Sequence, residues 1–180
     1  MSLFGRGRGC RFGNIRGRIR AELCRIDIRC VIAGAVIVLL SGFLSALAGG
    51  SADAYGELEL PAGAPPGFVF VIVWTVLYIL IGGAAGAVAC CPDRSCEQDK
   101  YKGLLFFIIM MVFNFIWYPL FFGAEAYFSA FMAIIMMIVM SFFAMCHFFR
   151  IYIVCGAAMA VYLAWLFYAA YLNLAVLFLN

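Results

Sequence analysis

Five long apolar segments constrain this chain more than any other feature. They cover residues 31–50, 68–90, 104–122, 126–148 and 151–179. At about 1.5 Å per residue, a helix of such a segment is long enough to cross a hydrocarbon core of about 30 Å. Hydrophobic residues make up 68% of the chain and charged residues 12%, whereas soluble domains are roughly half apolar and one quarter charged. The sequence therefore predicts an all-α integral membrane protein, a single bundle of five transmembrane helices over residues 31–180.

The basic residues support this number of spans, because all twelve then lie on one side of the membrane. The N-terminal tail carries eight arginines, the second loop carries Arg94, Lys100 and Lys102, and the fourth loop carries Arg150. The first loop, the third loop and the C-terminus carry none. By the positive-inside rule, the N-terminus and the even-numbered loops are expected in the cytosol.

Residues 1–30 form a basic tail outside the bundle. The alternation GRGRG has high backbone entropy and no apolar face, so we expect disorder at least through Gly13. The pattern of residues 15–30 is compatible with a short amphipathic helix. Three roles for the tail stay open: a positive flank that orients the first span, a mitochondrial-type targeting segment, and adhesion to anionic lipid headgroups.

Small residues recur at four-residue spacing on the first two spans. Ser41, Ser45 and Gly49 do so on the first, and Gly82 and Gly86 on the second. This spacing places small side chains on one helix face and lets two backbones approach closely. We therefore expect both faces to form helix–helix contacts.

Polar side chains inside the spans are the strongest candidates for function, because they are costly in a bilayer. Two helical faces carry them: Asn114, Trp117 and Phe121 on the third span, and Trp165, Ala169 and Asn173 on the fifth. Two compatible interpretations stay open: each asparagine hydrogen-bonds a neighbouring helix, or these faces line a ligand cavity. Pro119 adds a local feature, because it lacks an N–H and leaves the carbonyl of Phe115 without its helical partner.

Recognisable patterns for metal, cofactor or covalent chemistry are absent from the sequence. The eight cysteines have no regular spacing and the CCPDRSC loop lacks the spacing of a zinc pair, so we expect reduced, scattered thiols. His147 is the one histidine, which argues against haem or zinc ligation. The sequence has no nucleophile–base pair, phosphate-binding glycine loop or paired intramembrane carboxylates. We therefore expect no metal and no cofactor.

Three ordered motifs resemble those of a known family. The first is AYGELELPAGAPPGFVFVIVWTVLYILIG, the second FNFIWYPLFFG and the third YLAWLFYAAYLN. They are similar to WYxxLxKPxWxPPxWxFxxVWxxLYxxxG, LNxxWxxxFFG and YxxWxxFAxxLN of the TspO/translocator-protein family, also called the peripheral-type benzodiazepine receptor or tryptophan-rich sensory protein family. The resemblance covers residue 31 to the C-terminus, and the motifs fall on the predicted spans.

The resemblance implies a five-helix bundle, often dimeric, whose cavity opens toward the first loop. Members bind porphyrins, sterols and synthetic aromatic ligands. Their proposed roles are tetrapyrrole or sterol transport, stress signalling and, in some bacteria, light-dependent porphyrin breakdown. Carried over by position, the ligand-binding candidates are Trp74, Asn114, Trp117, Trp165, Ala169 and Leu172, with Pro65, Pro66 and Phe68 in the loop that would cover the cavity.

Several tryptophans of the family pattern are replaced in this chain. Ala54, Gly63 and Phe68 occupy three of these positions around the first loop, and Phe128 occupies a fourth. Porphyrin breakdown in the family is attributed to loop and cavity tryptophans, which are redox-active where phenylalanine is not. We therefore expect ligand binding without enzyme activity.

The sequence thus predicts a membrane receptor or carrier for tetrapyrroles, sterols or similar hydrophobic aromatic ligands. A porphyrin-degrading enzyme and a structural or partner-binding membrane protein stay open as alternatives. The expected partners are a porphyrin or sterol-like molecule, membrane lipid and a second copy of the chain, with no nucleic acid. The expected location is a membrane crossed several times, and the tail makes the mitochondrial outer membrane a candidate.

Overall fold

The computed structural model describes residues 19, 22, 25–48, 58–61 and 63–180. Five helices run through this part of the chain: α1 (Ile28–Ala48), α2 (Gly67–Ala89), α3 (Glu97–Tyr118), α4 (Tyr127–Ile151) and α5 (Ile153–Leu179). All five are long and apolar enough to cross a membrane. The prediction of an all-α, five-helix membrane bundle is confirmed. The predicted disorder through Gly13 lies outside the described residues, as does most of the tail helix.

The helices are arranged in a ring that differs from their order along the chain. α1 packs on α2, α2 on α5, α5 on α4 and α4 on α3, and α3 returns to contact α1. α1 buries the smallest share of its residues, and nearly all of the hydrophobic core comes from the other four helices. The core therefore lies between α2, α3, α4 and α5, with α1 attached along one side.

α3 begins earlier than hydropathy indicates, at Glu97 and not at residue 104. Asp93 caps the short 3-10 turn that precedes α3. It accepts hydrogen bonds from the backbone N–H (2.9 Å) and the hydroxyl (2.7 Å) of Ser95. Glu97 and Asp99 then lie in the first turn of α3, where their negative charges interact favourably with the positive end of the helix dipole. The apolar segment located the membrane-crossing part of α3 but not its polar start.

Pro119 has no N–H to donate to the carbonyl of Phe115, and a side chain of α1 donates to that carbonyl instead. α3 passes at this proline into a π-helical turn, Pro119–Gly123. The carbonyl of Phe115, which has no donor at position 119, accepts a hydrogen bond from the Ser45 hydroxyl at 2.6 Å. This bond joins α1 to α3, and Ser45 is buried at the contact. The Ser41 hydroxyl instead bonds the Val38 carbonyl of its own helix (2.7 Å), and Gly49 lies outside the described residues.

α1 and α2 approach most closely at glycines. A Cβ added at Gly86 would overlap the carbonyl oxygen of Cys30, and one added at Gly34 would overlap the carbonyl oxygen of Gly82. Both obstacles are backbone atoms, so no side-chain movement can relieve them. The small-residue contact expected at Gly82 and Gly86 is confirmed, with Gly34 of α1 as the partner that the spacing did not identify.

A disulfide joins the start of α1 to the end of α2, close to the contact at Gly86. Cys30 and Cys90 are bonded, with their Cα atoms 6.3 Å apart. The prediction of reduced, scattered thiols is therefore wrong for this pair. The other four cysteines among the described residues are free: Cys91, Cys96, Cys146 and Cys155. The two cysteines are 60 residues apart in sequence and meet because α1 and α2 are antiparallel neighbours. Cysteine spacing carries no information about that packing.

Polar contacts join further helix ends on the side that carries the basic residues. Asp99 of α3 lies 2.7 Å from the Nδ1 of His147 and accepts a hydrogen bond from Arg150 at 3.0 Å, both at the end of α4. The Glu22 carboxylate accepts a hydrogen bond from the backbone N–H of Ile153 (2.9 Å) at the start of α5. The end of the tail is thereby attached to the bundle at Glu22.

Candidate functional site

A buried hydrogen-bond network crosses the centre of the bundle. The Tyr78 hydroxyl of α2 donates to Asn114 Oδ1 of α3 at 2.6 Å, and Asn114 Nδ2 donates to the Tyr162 hydroxyl of α5 at 2.6 Å. The Tyr162 hydroxyl also lies 3.9 Å from the sulfur of Met137 on α4. Asn114 is 3% exposed, and the network uses both ends of its amide. Of the two interpretations of Asn114, the structure therefore supports the hydrogen bond between helices.

Beside this network, Phe70 lies in the middle of an aromatic cluster. Its ring centroid is 5.9 Å from that of Trp74, 6.3 Å from Trp117 and 6.4 Å from Trp165. Trp74 and Trp117 are also stacked on each other, 6.1 Å apart at 25°. The indole N–H groups of all three tryptophans are buried without a hydrogen-bond partner. This leaves three donors unsatisfied around one ring.

Asn173 differs from Asn114 in that its amide is unpaired. The residue is 1% exposed, and neither its Nδ2 nor its Oδ1 has a hydrogen-bond partner. A buried amide without partners costs several kcal/mol in an environment that lacks water, on the order of the values for transfer to hydrocarbon. The hydrogen bond to a neighbouring helix, one of the two interpretations of this residue, is therefore not formed.

A small core cavity of about 20 Å³ lies between this asparagine and the aromatic cluster. Its wall comes from the first loop, α2, α3, the π-helical turn and α5: Leu60, Phe70, Trp117, Phe121, Phe122, Ala169, Leu172, Asn173 and Val176. A cavity of this volume has room for about one water molecule. The two helical faces identified in the sequence therefore meet, but side chains fill nearly all of the space between them.

The predicted ligand-binding residues fall into four groups. Trp117, Ala169 and Leu172 line the core cavity. Trp74 and Trp165 belong to the aromatic cluster beside it, and Asn114 belongs to the hydrogen-bond network. The structure does not bring the remaining three, Pro65, Pro66 and Phe68, into the cavity wall, and the Phe68 side chain is 68% exposed.

Phe70, Leu60 and Val176 are cavity residues that sequence reasoning missed. A signal existed for Phe70, which precedes Trp74 by one helical turn and so shares its face. Val176 likewise follows Asn173 by three residues and so shares its face. Leu60 had no such signal, because a leucine in a loop is unremarkable before the elements are assembled.

The first loop covers the cavity and is held to α5. The Tyr168 hydroxyl donates to the carbonyl of Gly63 at 2.8 Å. The Asn180 side chain accepts from the N–H of Glu59 at 3.1 Å and donates to its carbonyl at 3.2 Å. Leu60 lies between these attachments and forms part of the cavity wall. Gly63 has φ of +90°, a conformation that favours glycine over other residues.

A larger space opens on the side of the bundle. This lateral crevice of about 500 Å³ lies between α1, α2 and α3. It is lined by Leu39, Leu40, Gly42, Phe43, Ser45, Ala46, Phe70, Val71, Trp74, Thr75, Tyr78, Trp117 and Tyr118. Phe70 and Trp117 belong to both walls, so these two aromatic side chains lie between the crevice and the core cavity.

Comparison with known proteins assigns the fold to a family. The sequence model of the TspO/MBR family matches residues 31–179. This chain is a member of the TspO/MBR family.

It is 29% identical over 126 residues to the tryptophan-rich protein TspO of Chlorobaculum tepidum, a match that covers 70% of this chain and 78% of the relative. It is 30% identical over 128 residues to protein CrtK of Rhodobacter capsulatus (70% and 78% covered). It is 31% identical over 126 residues to a tryptophan-rich sensory protein of Cereibacter sphaeroides (70% and 76% covered).

These comparisons describe a family of membrane proteins, and none of the three names denotes an enzyme. In this TspO/MBR-family chain, all three tryptophans belong to the core cluster around Phe70. Gly63 of the first loop and Phe68 at the start of α2, where the family pattern has tryptophan, lie outside that cluster. The tryptophans that remain are the buried ones.

Proposed function

We propose that this TspO/MBR-family protein is a membrane receptor or carrier for porphyrins and related tetrapyrroles, sterols or similar flat hydrophobic ligands, acting in their transport or in stress signalling. The observation that supports this most directly is the set of unpaired polar groups around Phe70 and the core cavity. Three indole N–H donors and the amide of Asn173 have no partner within the bundle. A ligand with hydrogen-bond acceptors would bond the unpaired donors, and a large apolar face on it would pack against the rings of the aromatic cluster.

The physical reason is the cost of burying polar groups without partners. Natural proteins pair the great majority of such groups, and the exceptions call for an explanation such as a binding role. In this bundle both amide atoms of Asn114 have a partner, whereas neither amide atom of Asn173 has one. Flat aromatic walls of tryptophan and phenylalanine supply the dispersion contacts that suit a planar ligand.

Ligand entry requires the core to open, because about 20 Å³ is far below the roughly 300–1,000 Å³ of small-molecule sites. Phe70 is the side chain to move, since it lies among the three tryptophans where a planar ligand would stack. The first loop would move with it, because Leu60 forms part of the same wall. The hydrogen bonds of Tyr168 and Asn180 to this loop then hold it closed and must break for the ligand to enter.

The proposal is binding and not catalysis. The family resemblance attributes porphyrin breakdown to loop and cavity tryptophans, and the loop positions hold Gly63 and Phe68 in this chain. The three relatives named above likewise carry no enzyme name.

Asn173→Leu is expected to weaken porphyrin binding about tenfold, since one hydrogen bond to a buried group contributes about 1.4 kcal/mol. Saturable quenching of tryptophan fluorescence by protoporphyrin IX, with the protein in lipid nanodiscs, measures the dissociation constant. Leu174→Ala is the matched control, because Leu174 is the exposed neighbour on α5 and does not line the core cavity. An unchanged affinity in Asn173→Leu would remove this residue from the site, and unsaturable quenching of the unmodified protein would contradict the proposed function.

We also propose that the basic tail directs the protein to the mitochondrial outer membrane. Its eight arginines, with no acidic residue before Glu22, support this, whereas the three relatives are bacterial proteins. Deletion of residues 2–18 is expected to remove a tagged chain from mitochondria in fluorescence imaging, and it spares the Glu22 contact with α5. Unchanged mitochondrial localisation after this deletion, or its absence in the full chain, would reject targeting by the tail.

A further inference from the structure

The lateral crevice faces the hydrocarbon of the bilayer. It lies between membrane-spanning segments, and its rim residues Leu40, Phe43 and Val71 are 56%, 62% and 61% exposed. From residue 39 to residue 46 it follows α1 for about 10 Å, roughly a third of the hydrocarbon thickness. Its opening therefore meets lipid chains rather than water.

The sequence of α2 explains why the two helices leave a space at this end. Toward the disulfide, α2 presents Gly82 and Gly86 to α1, and the backbones touch. Toward the first loop it presents Tyr78, Trp74 and Phe70, whose rings require more room. The Tyr78 ring still packs against Gly42, and the crevice extends from this contact toward the end of α1. α1 and α2 are therefore in backbone contact near the disulfide and are separated by aromatic rings toward the first loop.

The chemistry of the wall narrows the possible occupants. Three of the four hydroxyls on it are bonded within the protein: Ser45 to the Phe115 carbonyl, Thr75 to the Val71 carbonyl and Tyr78 to Asn114. The fourth belongs to Tyr118, at the end of α3. None of the described residues that line it is charged. An anionic headgroup or a ligand carboxylate would find no counter-charge there. The wall is mostly apolar, and hydrocarbon is the apolar occupant that the surroundings supply.

We propose that the lateral crevice is a binding site for one acyl chain of a membrane lipid. The chain lies along α1 with Leu40, Phe43 and Val71 beside it and the rings of Trp74, Trp117 and Tyr118 beneath it. It fills a space that helix packing leaves open and buries apolar surface on both partners. Because Trp74 and Trp117 also belong to the core cluster, the lipid chain contacts the ligand-binding tryptophans from their outer side. The site requires no porphyrin or sterol and is therefore independent of the proposed function.

Bromine quenching of single tryptophans tests this site directly. The protein is placed in vesicles of phosphatidylcholine with dibrominated acyl chains and compared with vesicles of dioleoyl phosphatidylcholine. One variant keeps only Trp74 (Trp117→Phe with Trp165→Phe), and the other keeps only Trp165 (Trp74→Phe with Trp117→Phe). We expect Trp74 to be quenched several-fold more strongly than Trp165, because a bromine in the crevice is in contact with Trp74.

Trp165 is a stringent comparison. Both rings contact Phe70, so their depths in the bilayer are similar. Trp165 is only partly buried whereas Trp74 is 8% exposed, so general exposure would quench Trp165 more. Equal quenching, or stronger quenching of Trp165, would overturn the proposal and would indicate that protein, such as a second copy of the chain, seals the crevice.

A crevice-filling variant provides the second measurement and keeps all three tryptophans. Ala46→Phe places a ring in the crevice and is expected to reduce the total bromine quenching. Val36→Phe is the matched control, because Val36 is a lipid-facing residue of α1 that does not line the crevice. If Ala46→Phe leaves quenching at the level of Val36→Phe, lipid reaches Trp74 by another route and the site is rejected.

Discussion

Asn114→Ala is expected to lower the free energy of unfolding by about 2 kcal/mol more than Asn173→Ala does. Both substitutions remove the same atoms from a buried position on a membrane-spanning helix, so the cost of the cavity is similar. They differ in what they leave behind. Without Asn114, the hydroxyls of Tyr78 and Tyr162 lose their 2.6 Å partners, whereas Asn173 has no partner to strand.

The size of the effect follows from two opposing considerations. A buried group left unsatisfied costs about 1–3 kcal/mol, and two hydroxyls are affected. Measured hydrogen bonds between transmembrane helices average only about 0.6 kcal/mol, because polar groups of the unfolded protein in the membrane also find partners. We therefore expect the loss of both hydroxyl partners to cost about 2 kcal/mol.

Unfolding by sodium dodecyl sulfate in mixed micelles, followed by circular dichroism, measures this difference. Tyr78→Phe and Tyr162→Phe in the Asn114→Ala background provide the control. Once the stranded hydroxyls are removed, part of the lost stability is expected to return. Equal destabilisation by Asn114→Ala and Asn173→Ala would show that the network between α2, α3 and α5 contributes nothing to stability.

Gly86→Val is expected to destabilise the bundle by about 3 kcal/mol or more and to prevent the Cys30–Cys90 disulfide. A Cβ at this position would overlap the carbonyl of Cys30, and the branched side chain of valine adds further atoms. Because the obstacle is backbone, α1 must move away from α2. The cysteine sulfurs at the same end of the two helices then separate beyond bonding distance.

Peptide mapping without reductant detects the disulfide, and unfolding in mixed micelles gives the stability. Gly83→Ala is the control on the same helix, because the nearest atom to its added Cβ is a methyl carbon of Val31 at 3.1 Å, which a small side-chain adjustment relieves. A Gly86→Val protein that retains both the disulfide and the stability of Gly83→Ala would show that the close approach of α1 and α2 is not needed.

Much of the candidate site was predictable, because the residues share helical faces. Trp117 with Asn114, and Trp165 with Ala169 and Asn173, are separated by three, four or eight residues, and the faces do point into the bundle. Their roles were not predictable. The two asparagines have the same kind of position in sequence, yet only Asn114 lies within reach of two tyrosine hydroxyls.

Other features depended on elements that are remote in sequence. The closure of the cavity results from Phe70 and from Leu60 of the first loop, and the disulfide from the antiparallel packing of α1 and α2. The crevice results from a change of side-chain size along α2, from glycine to aromatic residues, where α1 passes it. Each of these needs two elements in contact, so no single segment reveals it.

The sequence by itself determined the five membrane spans and the position of the basic loop residues at one end of the bundle. Each depends on the free energy of moving a single segment or charge between water and hydrocarbon, which is a property of that segment alone. Tertiary structure alone decided which polar groups are paired, which cysteines are bonded, and where space remains beside the tryptophans. Those outcomes depend on distances of a few ångströms between atoms that are far apart along the chain, and such distances exist only after the helices have packed.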